Sequence, residues 1–99
     1  MNKKYEEEYL RRAHAFSMNN LKKLQQDEGV CGCFSCCSIF YPYEINKFVM
    51  DKEETALCPY CYADAVIGAY SGFPITREFL EAMNEQWMQG IKEPCWELM

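Results

Sequence analysis

Residues 30–61 read VCGCFSCCSIFYPYEINKFVMDKEETALCPYC, and the fold turns on them. They hold two C-x2-C pairs, Cys33 with Cys36 and Cys58 with Cys61, separated by twenty-one residues. Two such pairs, each closing a turn and joined by a hairpin, can place four thiolates tetrahedrally at about 2.3 Å from a Zn2+ ion. With every coordination position filled by protein, no water is bound, so the ion holds the fold together and activates nothing. The spacing therefore predicts one zinc ion per chain, with Cys33, Cys36, Cys58 and Cys61 as ligands.

Cysteine crowding leaves the first pair open to alternatives. Cys31, Cys33, Cys36 and Cys37 lie within seven residues, so a C-x-C or a C-x3-C combination could also supply a ligand. Cys33 and Cys36 are preferred because their spacing matches the second pair. Cys31, Cys37 and Cys95 are then expected to behave as small buried hydrophobes.

The setting agrees with a metal staple. A chain of 99 residues buries a modest share of its surface and profits from a cross-link. Seven cysteines leave one unpaired in any all-disulfide scheme. No run near the N-terminus has signal-peptide character, and none approaches the roughly 20 apolar residues of a membrane span. A cytoplasmic location follows as an expectation, and there thiols stay reduced and serve metals more often than disulfides.

Outward from the cysteines the pattern becomes helical. From Lys3 to about Glu28 there is no Gly or Pro, and Tyr5, Tyr9, Ala13, Phe16, Asn20 and Leu24 recur at helical spacing, which predicts one amphipathic helix stopped by Gly29. Within the ribbon, alternation at Ile39, Tyr41 and Tyr43, the run Phe48–Met50 and the segment Thr55–Leu57 read as short strands, with Pro42 confined to an edge or bulge. Ala63–Tyr70 has the small residues of two helical turns. PITREFLEAMNEQWMQG predicts a last helix, with Thr76 as N-cap, Gly90 as stop, an apolar side of Phe79, Leu80, Met83, Trp87 and Met88, and a charged side of Arg77, Glu78, Glu81 and Glu85. The expected class is α+β: one domain over residues 1–99, comprising an N-terminal helix (1–29), a four-cysteine β-hairpin ribbon (30–62) and a C-terminal helical part (63–99).

Charge restricts the partners. The net charge is −5, and residues 51–99 carry nine acidic against three basic groups. Nucleic-acid binders present a basic stripe to phosphates, and only Arg11, Arg12, Lys22 and Lys23 approach one here, so direct nucleic-acid binding is not expected. His14 is the single histidine, and its helical setting predicts a hydrogen-bonded or exposed residue rather than a ligand.

The runs CGCFSC, FYPYEI, TALCPYC, DAVIG and PITREFLEAM resemble, in that order, a group of small bacterial cytoplasmic proteins of the zinc-ribbon type. The likeness extends from about Asn19 to Trp87. It implies metal binding at Cys33, Cys36, Cys58 and Cys61 and implies no activity. The chain departs from that pattern at Phe48, where a Trp is usual, and at Tyr62, where a Gly is usual; the latter position often needs a positive φ, which costs a tyrosine energy.

Two other chemistries fit part of the pattern. Cys58-Pro59-Tyr60-Cys61 matches the dithiol of glutaredoxins, where a thiolate at a helix N-terminus attacks disulfides, but that fold needs a βαβ unit and a later cis-proline loop for which this chain has little room. Rubredoxin-like Fe(Cys)4 shares the pair spacing, although it favours glycine at the places of Cys37 and Tyr62. No phosphate loop or hydrolytic constellation is visible. The sequence thus predicts a small zinc-binding protein-interaction module with a protein partner, acting as adaptor, regulator or inhibitor; alternatives are a glutaredoxin-like oxidoreductase and an acidic inhibitor of a nucleic-acid enzyme.

Overall fold

The computed structural model describes residues 5–87, so Lys3, Met88, Gly90 and Cys95 lie outside it. Within this range the protein is a small α+β fold, with helices before and after the strands that carry the cysteines. The helices are α1 (Glu7–His14), α2 (Leu21–Gln26) and α3 (Arg77–Trp87), and the strands are β1 (Cys31–Cys33), β2 (Ile39–Phe40), β3 (Phe48–Met50), β4 (Glu54–Ala56) and β5 (Val66–Gly68). They form a three-stranded sheet in the order β2-β1-β5 and a two-stranded ribbon of β3 and β4, antiparallel throughout.

Strand β1 is the centre, buried along its length, and its sequence Cys-Gly-Cys is small for a reason. A Cβ on Gly32 would stand 2.7 Å from Leu80 Cδ1 and 3.2 Å from Ile75 Cγ2, so α3 can lie against this face only over a glycine. On β5, a Cβ on Gly68 would meet Leu24 Cδ2 of α2 at 2.6 Å. Gly32 pairs with Ile67 and Gly68 with Cys31, so the two contacts belong to opposite faces of the sheet, one covered by α3 and the other by α2. Phe34, Phe79, Leu24, Ile67, Leu80 and Met83 are the large side chains fully buried between them.

The N-terminal helix differs from its expected form. A short 3-10 turn, Ala15–Ser17, follows α1, and Asn19 with φ 54° separates it from α2. The break is held from a distance. Asn20, 1% exposed, donates through Nδ2 to the carbonyls of Phe16 (3.0 Å) and Val66 (2.8 Å), while its Oδ1 accepts from the Ala56 N–H (3.1 Å). Asn19 accepts from Glu53 N and gives its own N–H to Thr55 Oγ1. One asparagine pair therefore joins the helices to β4 and β5, and these bonds outweigh the propensity for a continuous helix.

Two further segments depart from expectation. Ala63–Tyr70 contains strand β5 and then a 3-10 turn, because Val66 and Ile67 complete the sheet beside β1. The alternation at Ile39, Tyr41 and Tyr43 ends after Phe40; Pro42 opens a 3-10 turn, Pro42–Glu44, whose Glu44 carboxylate accepts from the Tyr41 N–H at 3.0 Å. The last helix conforms in the described residues. Thr76 Oγ1 accepts from Phe79 N at 3.1 Å, Phe79, Leu80 and Met83 are buried, and Arg77, Glu78, Glu81 and Glu85 are exposed.

Candidate metal centre

Each cysteine pair sits in a tight loop, and the two loops repeat one another. In the first, between β1 and β2, the Ser35 N–H points at Cys33 Sγ (3.3 Å), the Cys37 N–H donates to the Cys33 carbonyl (2.6 Å), and the Cys33 N–H donates to the Ser38 carbonyl (3.0 Å). In the second, between β4 and β5, Tyr60 N–H points at Cys58 Sγ (3.3 Å), Tyr62 N–H donates to the Cys58 carbonyl (2.9 Å), and Cys58 N–H donates to the Ala63 carbonyl (3.0 Å). Backbone donors aimed at a sulfur favour its thiolate, the form that binds metal.

The folds of the two loops bring their sulfurs together. Cys33 Sγ lies 3.6 Å from Cys61 Sγ, Cys36 Sγ lies 3.7 Å from Cys58 Sγ, and all four lie within 4.8 Å of one another. A regular tetrahedron with Zn–S bonds of about 2.3 Å has edges of about 3.8 Å. The four-cysteine cluster is thus sized to chelate a single metal ion, as one Zn2+ per chain requires. Cys33, Cys36 and Cys58 are buried and Cys61 is half-buried, so the protein encloses the centre and offers four ligands with no open position.

Electrostatics favour the same occupant. Hydrogen bonding among the four sulfurs, Cys33 first, holds Cys36 below the ordinary thiol range, whereas hydrogen bonding to Cys36 keeps Cys33 above it. Cys61 is lowered to about 6, chiefly by its bond with Cys33. Several thiolates this close repel one another, and a divalent cation removes that repulsion.

Cys31 and Cys37 stand apart from the four. Both are buried, and burial pushes each thiol up to about 12, which keeps them protonated and inert. His14 is also outside the cluster; its ring packs 4.2 Å from Trp87 and 5.9 Å from Phe34, measured between ring centroids.

Residue spacing does not point to the supports around the centre. Asn84 of α3 donates through Nδ2 to the carbonyls of Phe34 (2.9 Å) and Ser35 (3.0 Å), gripping the first loop from outside. The Phe34 N–H donates to Ala65 O at 3.0 Å, tying that loop to the segment after the second. The Tyr60 hydroxyl donates to Glu44, which fastens the second loop to the Pro42–Glu44 turn. An asparagine four residues after the buried Leu80 is the signal that a search for polar residues on the packed side of α3 would have found.

Cys58–Cys61 lies in a turn between strands, not at the start of any described helix. The helix N-terminus that activates a glutaredoxin thiolate is therefore not what surrounds it. Comparison with family models, with curated proteins and with solved structures finds no match for the chain.

Proposed function

We propose that the chain is a zinc-stabilised protein-interaction module, an adaptor, regulator or inhibitor with no catalytic role of its own. The observation that carries this reading is a set of exposed aromatic and aliphatic side chains between and within the two cysteine loops: Tyr43 is 82% exposed, Met50 69% and Tyr60 59%. Exposed apolar side chains gathered in one stretch of a small protein mark a place of contact, and a tetrathiolate centre with no open position serves to fix the ends of that stretch. The spacing of the four sulfurs supports the metal assignment. No described helix is long and apolar enough to cross a membrane.

The special case of an acidic inhibitor draws on the exposed carboxylates of α3, of which Glu81 pairs with Arg77 at 3.4 Å. The test is reconstitution. A partner captured with the zinc-loaded protein from its native host should, once both are purified, re-form a stoichiometric complex that is lost when a chelator unfolds the module. A zinc-loaded protein that forms no complex and sustains glutathione-coupled disulfide reduction overturns the proposal.

A further inference from the structure

A groove of about 680 Å³ opens between α2 and the Pro42–Glu44 turn. Its more buried lining is apolar, with Leu21, Pro42 and Ile45, and its exposed lining includes Tyr41 and Tyr43. These two rings are stacked, 5.4 Å between centroids and 4° from parallel, and Tyr43, 82% exposed, is the more open of the pair. Gln25, Asp27 and Glu28 complete the lining, and no lysine, arginine or histidine is part of it.

The carboxylates are not equivalent. Asp27 is held in place by two backbone donors, Gly29 N–H at 3.0 Å and Tyr70 N–H at 2.9 Å, so its charge is fixed at the groove, and it makes no ion pair with a described residue. Glu28 is exposed and makes no ion pair with a described residue. A third carboxylate, Glu44, stands on the adjoining turn. Fixed negative charge beside an aromatic face selects a cation that tolerates partial desolvation. Arginine fits better than lysine, because its planar guanidinium stacks on a ring while its N–H groups reach a carboxylate, and it sheds water more readily than an ammonium.

From this complementarity we infer that the groove is a docking site for an extended, arginine-bearing segment of a partner protein, the guanidinium stacking on the exposed Tyr43 ring, which Tyr41 backs, with its charge toward Asp27 and Glu28. Apolar side chains of the same segment would cover Leu21, Pro42 and Ile45, since an extended chain offers alternate residues to a groove. The inference rests on the interaction-module reading and adds to it the surface and the chemistry of the partner.

The test uses the zinc-loaded protein and three decapeptides rich in proline, which holds them extended, that differ at two central positions: arginine, lysine or citrulline. Amide NMR shifts on adding the arginine peptide should centre on residues 25–28 and 41–45, with the lysine peptide weaker and the citrulline peptide weaker still. Tyr43→Ala and Glu28→Lys, both at exposed positions, should keep full zinc content and each raise the peptide Kd by about tenfold or more, in line with lost cation–π and charge contacts. Weakening by salt should accompany binding to wild type.

Three results overturn the inference: no shifts at millimolar peptide, equal binding of the citrulline peptide, or shifts confined to α3. So does tighter binding of a single-stranded oligonucleotide at the tyrosine pair, because stacked bases would then be the occupant. The interaction-module reading fails separately. If a reconstituted partner complex tolerates Tyr43→Ala and Glu28→Lys unchanged, the groove falls while the module stands.

Discussion

Cys37 and Tyr62 occupy the same place in two copies of one loop: their φ angles are 63° and 64°, and each gives its N–H to the carbonyl of the first cysteine of its pair. Neither is the glycine that this backbone favours. A left-handed conformation costs an L-residue about 1–2 kcal/mol. For Tyr62 part of that cost is offset by Lys47, whose ammonium sits 5.1 Å from the ring centroid, a contact worth about 0.5–1 kcal/mol at an exposed site.

The backbone effect is the larger, so Tyr62→Gly should stabilise the zinc-loaded protein by about 0.5–1 kcal/mol, or several degrees in Tm. Thermal unfolding of the variant beside Lys47→Ala separates the two contributions. Tyr62→Val should destabilise, because a β-branched residue tolerates this φ least. A lower Tm for Tyr62→Gly than for wild type would show that the ring packing outweighs the strain.

Metal content should follow the four clustered sulfurs and no others. Serine at Cys33, Cys36, Cys58 or Cys61 should abolish stoichiometric zinc by elemental analysis and unfold the protein, since ligation contributes on the order of 10 kcal/mol in zinc-finger peptides and a small domain has about 5–15 kcal/mol in all. Cys31→Ser and Cys37→Ser should retain one equivalent. Full zinc in Cys33→Ser, with loss in Cys31→Ser, would reassign the first ligand pair. A red, iron-bearing preparation would replace zinc by iron.

Acidification should release the ion and unfold the protein in one step. Metal ligation holds the cysteines as thiolates far below their unfolded pKa, so the stability it provides is present at neutral pH and is lost as falling pH protonates the sulfurs. Zinc release followed with a chromogenic chelator should coincide with loss of amide signal dispersion. Release well before unfolding would mean that the fold does not depend on the metal.

Asn84 should control how long the ion is held. Asn84→Ala removes two hydrogen bonds to the first loop, worth about 1 kcal/mol each, and leaves two carbonyls to find water. Zinc transfer to excess chelator should accelerate by about tenfold, with the stoichiometry still one. Unchanged transfer would indicate that the loop is held by its own backbone bonds alone.

Asn20 should matter to the fold more than any surface residue. Asn20→Ala leaves Val66 O and Ala56 N–H buried without their partner, at a cost of about 2–4 kcal/mol, which chemical denaturation of the zinc-loaded protein would measure. Asn20→Asp should cost more at neutral pH, because it removes both donors and buries a charge. A loss below about 0.5 kcal/mol for either would contradict the role assigned to this side chain.

How much of this was legible in the sequence depended on how local its cause was. The clustered cysteines were, because two x2 spacings specify two self-contained loops whatever surrounds them. The start of α3 was, because Thr76 caps its own first turn. The break after α1 was not: Asn20 lies on the helical stripe and reads as part of it, and its bonds to Ala56 and Val66 exist only once the chain has folded. Strand β5 was hidden for the same reason, since the alanines around Val66 and Ile67, Ala63, Ala65 and Ala69, suit a helix until β1 provides an edge to pair with. Asn84 was passed over because the exposed acidic residues beside it made α3 look like a simple two-sided helix.

The two-stranded ribbon has a further consequence. Strand β3 pairs with β4 along one side, and its residues Phe48, Val49 and Met50 are 48%, 44% and 69% exposed. No described strand pairs with the other side of β3, and three apolar residues on such an edge are a template for pairing with another chain, the route by which small β proteins aggregate. Lys47 stands immediately before this run and Asp51 and Lys52 immediately after it, so charge brackets the edge at both ends and sets two like copies against stacking in register. Resistance of this edge to aggregation thus rests on residues 47 and 51–52, and substitutions there that are harmless to the zinc centre should still promote precipitation.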